Sequence, residues 1–163
     1  CAELGAWMLV LGGKAKTLED AKRQFHETLE SGAAAEKFRQ VIEAQGGDPH
    51  VLDTPARLPQ ATRCQEWRSP AKGYVVRIDA EKLGRAVMML GAGRERVEDT
   101  IDPAVGLVLH KKIGELVAHD EPLATIFYNT PDRLIEARSW LAATFTIAAE
   151  PPPPSPLILK TLI

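Results

Sequence analysis

Four prolines, at positions 49, 55, 59 and 70, divide this chain into two differently patterned parts. Each removes a backbone donor and fixes φ, and at these intervals no helix survives between residues 48 and 70. That stretch is expected to be a linker holding the domain boundary. The 163 residues allow one ordinary domain, or one plus a small companion.

Before the prolines, apolar residues recur at helical spacing. Leu4, Trp7, Met8 and Leu11 fall at i, i+3, i+4 and i+7, and Gly12-Gly13 stops the run. No cap precedes it, and the chain opens at Cys1 without a methionine. The working expectation is a C-terminal piece of a longer protein. Thr17, with Glu19 and Asp20 behind it, has the acceptor and the negative charge that a helix N-terminus favours. Leu18, Ala21, Phe25 and Leu29 would then be a buried face, ending at Ser31-Gly32. A third helix runs through Phe38, Val41 and Ile42 to Gly46-Gly47, where glycine can adopt positive φ. Residues 1–47 therefore read as three helices.

After the prolines, Gly73–Ile78 reads as a β-branched strand, and Asp79 caps a helix whose apolar positions are Leu83, Val87 and Leu90. Val105–Leu109 is a second strand, and Glu115–Ile126 reads as a hairpin turning near Asp120. Pro131 opens a helix marked by Leu134, Ile135, Ala137, Trp140 and Leu141, and Thr144–Ile147 is strand-like. Pro151–Pro154 is an extended spacer, and Leu157–Ile163 is expected to be a closing edge strand. The fold class is α+β: helices first, then a mixed β-rich subdomain, sandwich-like, with two flanking helices.

Charge excludes one class of partner. Residues 1–48 carry 6 basic and 8 acidic side chains, and residues 49–163 carry 14 of each. Nucleic-acid binding by counterion release needs clustered Lys and Arg, and the densest run is His110-Lys111-Lys112. No stretch approaches the ~18 apolar residues of a membrane span. Two cysteines, Cys1 and Cys64, make no disulfide framework and fit a reducing cytoplasm.

The residues that could bear chemistry each have a plainer explanation. Gly91-Ala92-Gly93-Arg94 suggests an anion loop, but a phosphate loop follows a strand and opens a helix, whereas these glycines follow a helix. A C-cap and turn is the expectation, with Arg94 paired to Glu95, Glu98 or Asp99. Asp79 stands where an N-cap is required, and Asp99 and Asp102, flanking Ile101, have the spacing of Asx turns. His26, His50, His110 and His119 are scattered, which argues against a zinc site, and Cys64 lacks the flanks of an activated thiolate. Trp7, Trp67 and Trp140 read as core or rim anchors. No catalytic, cofactor-binding or metal-binding residue is assigned.

Several strings together resemble the C-terminal part of the pyrimidine-nucleoside phosphorylases, the family that includes thymidine phosphorylase. Leu9-Val10-Leu11-Gly12-Gly13-Lys14-Ala15, Ser31-Gly32-Ala33-Ala34, Phe38 and Gln45-Gly46-Gly47-Asp48 resemble the last helices of its large α/β domain. Gly73-Tyr74-Val75, Ile78-Asp79-Ala80, Leu83-Gly84, Leu90-Gly91-Ala92-Gly93-Arg94, Asp99, Ile101-Asp102, Val105-Gly106 and Leu109-His110-Lys111-Lys112-Ile113-Gly114 resemble its C-terminal subdomain, residues 71–163 here.

The resemblance implies a pentosyltransferase in which inorganic phosphate attacks the sugar C1′ of uridine or thymidine. It implies a cytoplasmic homodimer that closes across a cleft and needs no cofactor in this segment. The family's Lys-His-Ser-Thr-Gly-Gly-type phosphate segment and its base-binding Arg, Ser and Lys lie upstream, and no such segment occurs between Cys1 and Ile163. The role left for this chain is a scaffold and closure unit, inactive without the missing N-terminal part, with neither nucleic acid nor membrane as partner.

The alternative is an interaction module. Gly114–Ile126 resembles the hairpin of biotinyl and lipoyl carriers, but Phe127-Tyr128-Asn129 follows where those domains place the modified lysine. Attachment at that site is chemically excluded. Asp120 stands where such hairpins have glycine, and aspartate tolerates the left-handed conformation.

Overall fold

A computed structural model describes residues 1–94 and 96–162. The chain divides into two compact units, Cys1–Arg57 and Leu58–Ile163.

The first unit is helical: α1 (Ala2–Leu11), α2 (Leu18–Glu30) and α3 (Ala33–Ala44), followed by two short 3₁₀ turns, Pro49–Leu52 and Pro55–Arg57. Thr17 caps α2 as expected, its Oγ1 accepting the Asp20 N–H at 3.1 Å. Gly46, at φ 77°, ends α3, and the Gly47 N–H returns to the Ile42 carbonyl at 2.8 Å. Packing departs from the apolar stripes. In α1 the fully buried side chain is Ala6, while Leu4, Met8 and Leu11 are exposed. Only Ala21 of the expected α2 face is buried, and Leu29, Phe38 and Val41 are exposed. Small side chains let α1 and α2 approach closely, and the Phe25 ring fills the space left by Gly5.

Pro49 and Pro55 open folded turns that belong to this unit. Asp53 receives two bonds from the Arg39 guanidinium, at 2.9 and 3.1 Å, and Arg39 Nη1 also donates to the Pro49 carbonyl at 3.2 Å. Asp48 binds Arg57 at 2.7 and 2.8 Å and accepts the His50 N–H at 3.0 Å. Forked guanidinium contacts of this kind fix orientation as well as distance.

Among its described residues the second unit holds six strands and two helices: β1 (Arg63–Arg68), β2 (Gly73–Ile78), α4 (Ala80–Val87) running into a π turn (Met88–Ala92), β3 (Gly106–Leu109), β4 (Leu116–Val117), β5 (Pro122–Tyr128), α5 (Pro131–Ala142) and β6 (Phe145–Ala148). They form two antiparallel three-stranded sheets, ordered β1-β5-β3 and β4-β2-β6. The fold is α+β.

Three expectations need correction. β1 lies inside the stretch read as a linker: its six residues pair with β5 from Arg63↔Tyr128 to Arg68↔Pro122. The strands of 115–126 are not hairpin partners. β4 pairs with β2 through Gly73↔Val117 and Tyr74↔Leu116, whereas β5 lies in the other sheet. The turn between them is nevertheless at Asp120, whose φ is 64°. Residues 157–162 form no strand, and Leu157, Leu159 and Leu162 stay exposed; Ile163 lies outside the described residues.

β5 separates two apolar cores. Leu123 and Ile126, three residues apart and so on opposite faces, are both fully buried. Ile126 packs with Ala86, Leu90, Val105, Leu134, Ala137 and Leu141 under α4 and α5. Leu123 packs with Val75 and Val117 of the second sheet. Trp67 on β1 touches both clusters. Ile135, expected in the α5 stripe, is 66% exposed, because the buried row is Leu134, Ala137 and Leu141.

Candidate functional site

The β2-to-α4 passage fixes the first carboxylate. Asp79 Oδ1 accepts the Lys82 N–H at 3.2 Å, and Oδ2 accepts from Arg77 at 2.9 Å. Its oxygens are engaged by donors within six residues, which is the geometry of an N-cap.

Helix α4 then widens into the π turn and stops at Gly91, where φ is 110°. The Gly91 carbonyl accepts the Asp102 N–H at 2.9 Å, closing the base of the loop that follows. The glycine run therefore ends a helix and opens a loop, as its order in the chain implied. Among Arg94's expected partners, Glu95 lies outside the described residues.

Asp99 and Asp102 each accept a backbone N–H of their own. Asp99 Oδ2 accepts the Arg96 N–H at 2.9 Å. Asp102 Oδ1 accepts the Ala104 N–H at 3.0 Å, an Asx turn around Pro103, while its Oδ2 accepts from Asn129 Nδ2 at 2.7 Å. Asn129 first, then the Ala104 N–H and the positive charge of Arg133, hold the Asp102 carboxyl below the usual carboxylate range. Asn129 Oδ1 in turn accepts both the N–H and the hydroxyl of Thr62, at 2.8 and 3.0 Å.

The remaining candidates lie apart. His110 Nε2 meets Thr125 Oγ1 at 2.7 Å, and His26 stands edge-on to Phe25. Among the described residues no three His, Cys, Asp or Glu side chains gather as a metal set. Cys1 and Cys64 are exposed thiols. Trp140 lies at the rim of the core with the Arg85 guanidinium 5.2 Å from its ring centroid. At the carrier-like turn, Lys111 Nζ meets Glu121 Oε1 at 2.6 Å and the Leu116 carbonyl at 3.0 Å. Glu121 Oε2 accepts the Ala118 N–H at 2.7 Å, and Lys111 first, then that N–H, holds its carboxyl low.

What the fold brings together is a polar junction at one end of the second unit. The π turn, the loop before β3 and the start of α5 surround two adjoining hollows that share Thr100 and Arg133. Asp99 and Glu136 line one, and Asp102 and Thr130 the other. Thr62, Asn129 and Arg133 carried no signal in the sequence. Thr62 and Asn129 are 67 positions apart, and their meeting depends on the register that sets Arg63 opposite Tyr128. The chemistry on view is anchoring: carboxylates act as acceptors for backbone and amide donors.

Two small antiparallel sheets flanked by two helices, with a loop tied between helix end and strand, define the class: a compact α+β module. Its family is identified by comparison. Residues 74–148 match the family model described as the pyrimidine nucleoside phosphorylase C-terminal domain. Over 129 residues the chain is 50% identical to the pyrimidine-nucleoside phosphorylases of Staphylococcus aureus strains bovine RF122 / ET3-1, USA300 and NCTC 8325. That alignment covers 79% of this chain and 30% of each relative. Residues 74–148 thus form a C-terminal domain of the pyrimidine-nucleoside phosphorylase family, and the chain spans 30% of the length of the relatives it matches.

Proposed function

We propose that this chain is the C-terminal, structural portion of an enzyme that splits uridine or thymidine with inorganic phosphate into free base and pentose 1-phosphate. The observation that carries this reading is 50% identity over 129 residues to pyrimidine-nucleoside phosphorylases. The sequence supplies no Lys-His-Ser-Thr-Gly-Gly-type phosphate segment. Phosphorolysis passes through an oxocarbenium-like transition state, so phosphate must be held against C1′ while charge on the departing base is stabilised. Those groups belong to the upstream part of the polypeptide. The present portion completes the large domain as a scaffold and takes part in closure of the cleft. The parent enzyme is then a cytoplasmic homodimer that needs neither metal nor organic cofactor from this segment.

The test is complementation. The purified chain, given uridine or thymidine with phosphate, should release no base above the uncatalysed rate. Adding a separately expressed upstream portion from the same family should restore release. Turnover by this chain alone would overturn the assignment of the reaction centre.

A further inference from the structure

We propose that Leu58–Ala61 is a pivot built into the chain, four residues held by clamps at both ends and by almost nothing between. On the N-terminal side, Arg57 is fixed to Asp48, and Asp53 to Arg39, so the 3₁₀ turns are tied back onto their own helical unit. On the C-terminal side, Thr62 gives both its N–H and its hydroxyl to Asn129, and the β1–β5 ladder begins at the next residue. The intervening stretch differs from both flanks. Pro59 has no N–H to give, and neither Gln60 nor Ala61 donates a backbone hydrogen bond to a described residue. The Gln60 side chain turns back to the Leu58 carbonyl at 3.0 Å, a bond internal to the segment. Leu58 is 49% exposed, and Pro59 and Gln60 are exposed as well.

Backbone without ladder bonds or buried apolar contacts opens at low free energy, and motions between packed bodies concentrate in a few residues at element ends. Because Pro59 restricts its own φ and holds the ψ of Leu58 extended, the freedom falls on ψ of Pro59 and on Gln60 and Ala61. The clamps decide where motion stops, so the pivot is four residues long and not the 23 of the proline-containing stretch. This inference stands apart from the phosphorylase reading, since it concerns backbone order and needs no turnover.

Backbone ¹⁵N relaxation on the 163-residue chain tests it. Order parameters should fall below about 0.6 at Leu58, Gln60 and Ala61 and return to about 0.85 within β1 and within the 3₁₀ turns. Values near 0.85 throughout 58–61, or low values already from residue 48 onward, would overturn it. In an Arg39→Ala chain the low values should spread back through 49–57 while β1 stays ordered. Unchanged order in 49–57 would remove the clamp from the argument.

Discussion

Asn129 donates from Nδ2 to Asp102 Oδ2 at 2.7 Å, while its Oδ1 takes two hydrogen bonds from Thr62. One amide thereby joins the segment before β1, the end of β5 and the loop before β3. Asn129→Ala leaves a half-buried carboxylate oxygen and two Thr62 donors without this partner. Loss of such a partner is to be read as a lower urea midpoint for the second unit. Asn129→Asp sets a like charge beside Asp102, so the Asp102 pKa, followed by NMR, should rise. An unchanged midpoint in both variants would show the junction to be incidental.

Gly91 stands at φ 110° and ψ 5°, with the tip of the Arg133 side chain against the place a Cβ would occupy. Arg133 is long and can swing away, so the backbone conformation dominates the cost. Gly91→Ala should destabilise by about 1–3 kcal/mol. Repeating it in an Arg133→Ala background separates the two contributions. If the strain argument holds, most of the loss remains when the guanidinium is gone.

The helices were legible because their signals are local: Thr17 and Asp79 cap, and Gly46 ends α3 at positive φ. β1 was hidden for a physical reason. An edge strand with Arg63, Glu66 and Arg68 on it carries the charges that block unwanted pairing, and so reads as loop. The β4–β5 misreading has another cause. Alternation reports which side chains face a core, but not which strand lies alongside, and here adjacent strands enter different sheets. The apolar segment 157–162 has β-branched and leucine character yet stays unpaired, because a strand needs a partner edge as well as composition. The Thr62–Asn129–Asp102 junction was invisible since it exists only once the β1–β5 register is set.

Acid should loosen residues 48–57 before it loosens the second unit's sheets. Arg57, then the His50 N–H, hold the Asp48 carboxyl below its ordinary value, and Arg39 does so for Asp53. The folded form therefore binds these protons less readily than the unfolded one. Their contribution is complete above the unfolded carboxylate pKa of about 4 and disappears as pH falls through the lower folded values. Hydrogen-exchange protection of amides in 48–57 should hold from pH 6 to 5 and fall below about pH 4. Both carboxylates are solvent-accessible, so added salt should weaken the contacts at every pH. Protection that stays constant down to pH 2.5 would contradict the clamps.

Leu123 and Ile126 make β5 the common wall of two cores, and this sets how the second unit should unfold. Both side chains are fully buried, so replacing either by alanine should cost about 2–5 kcal/mol. Leu123→Ala empties space beside Val75 and Val117, and Ile126→Ala empties space beside Leu90 and Leu141. If the shared strand and Trp67 make the cores one cooperative body, each variant must lower the midpoint seen by β2 amides and by β3 amides equally. On opposite faces of one strand, the two losses should also add to within about 0.5 kcal/mol in the double variant. Separate midpoints for the two sheets in either single variant would mean that β5 divides the unit instead of uniting it.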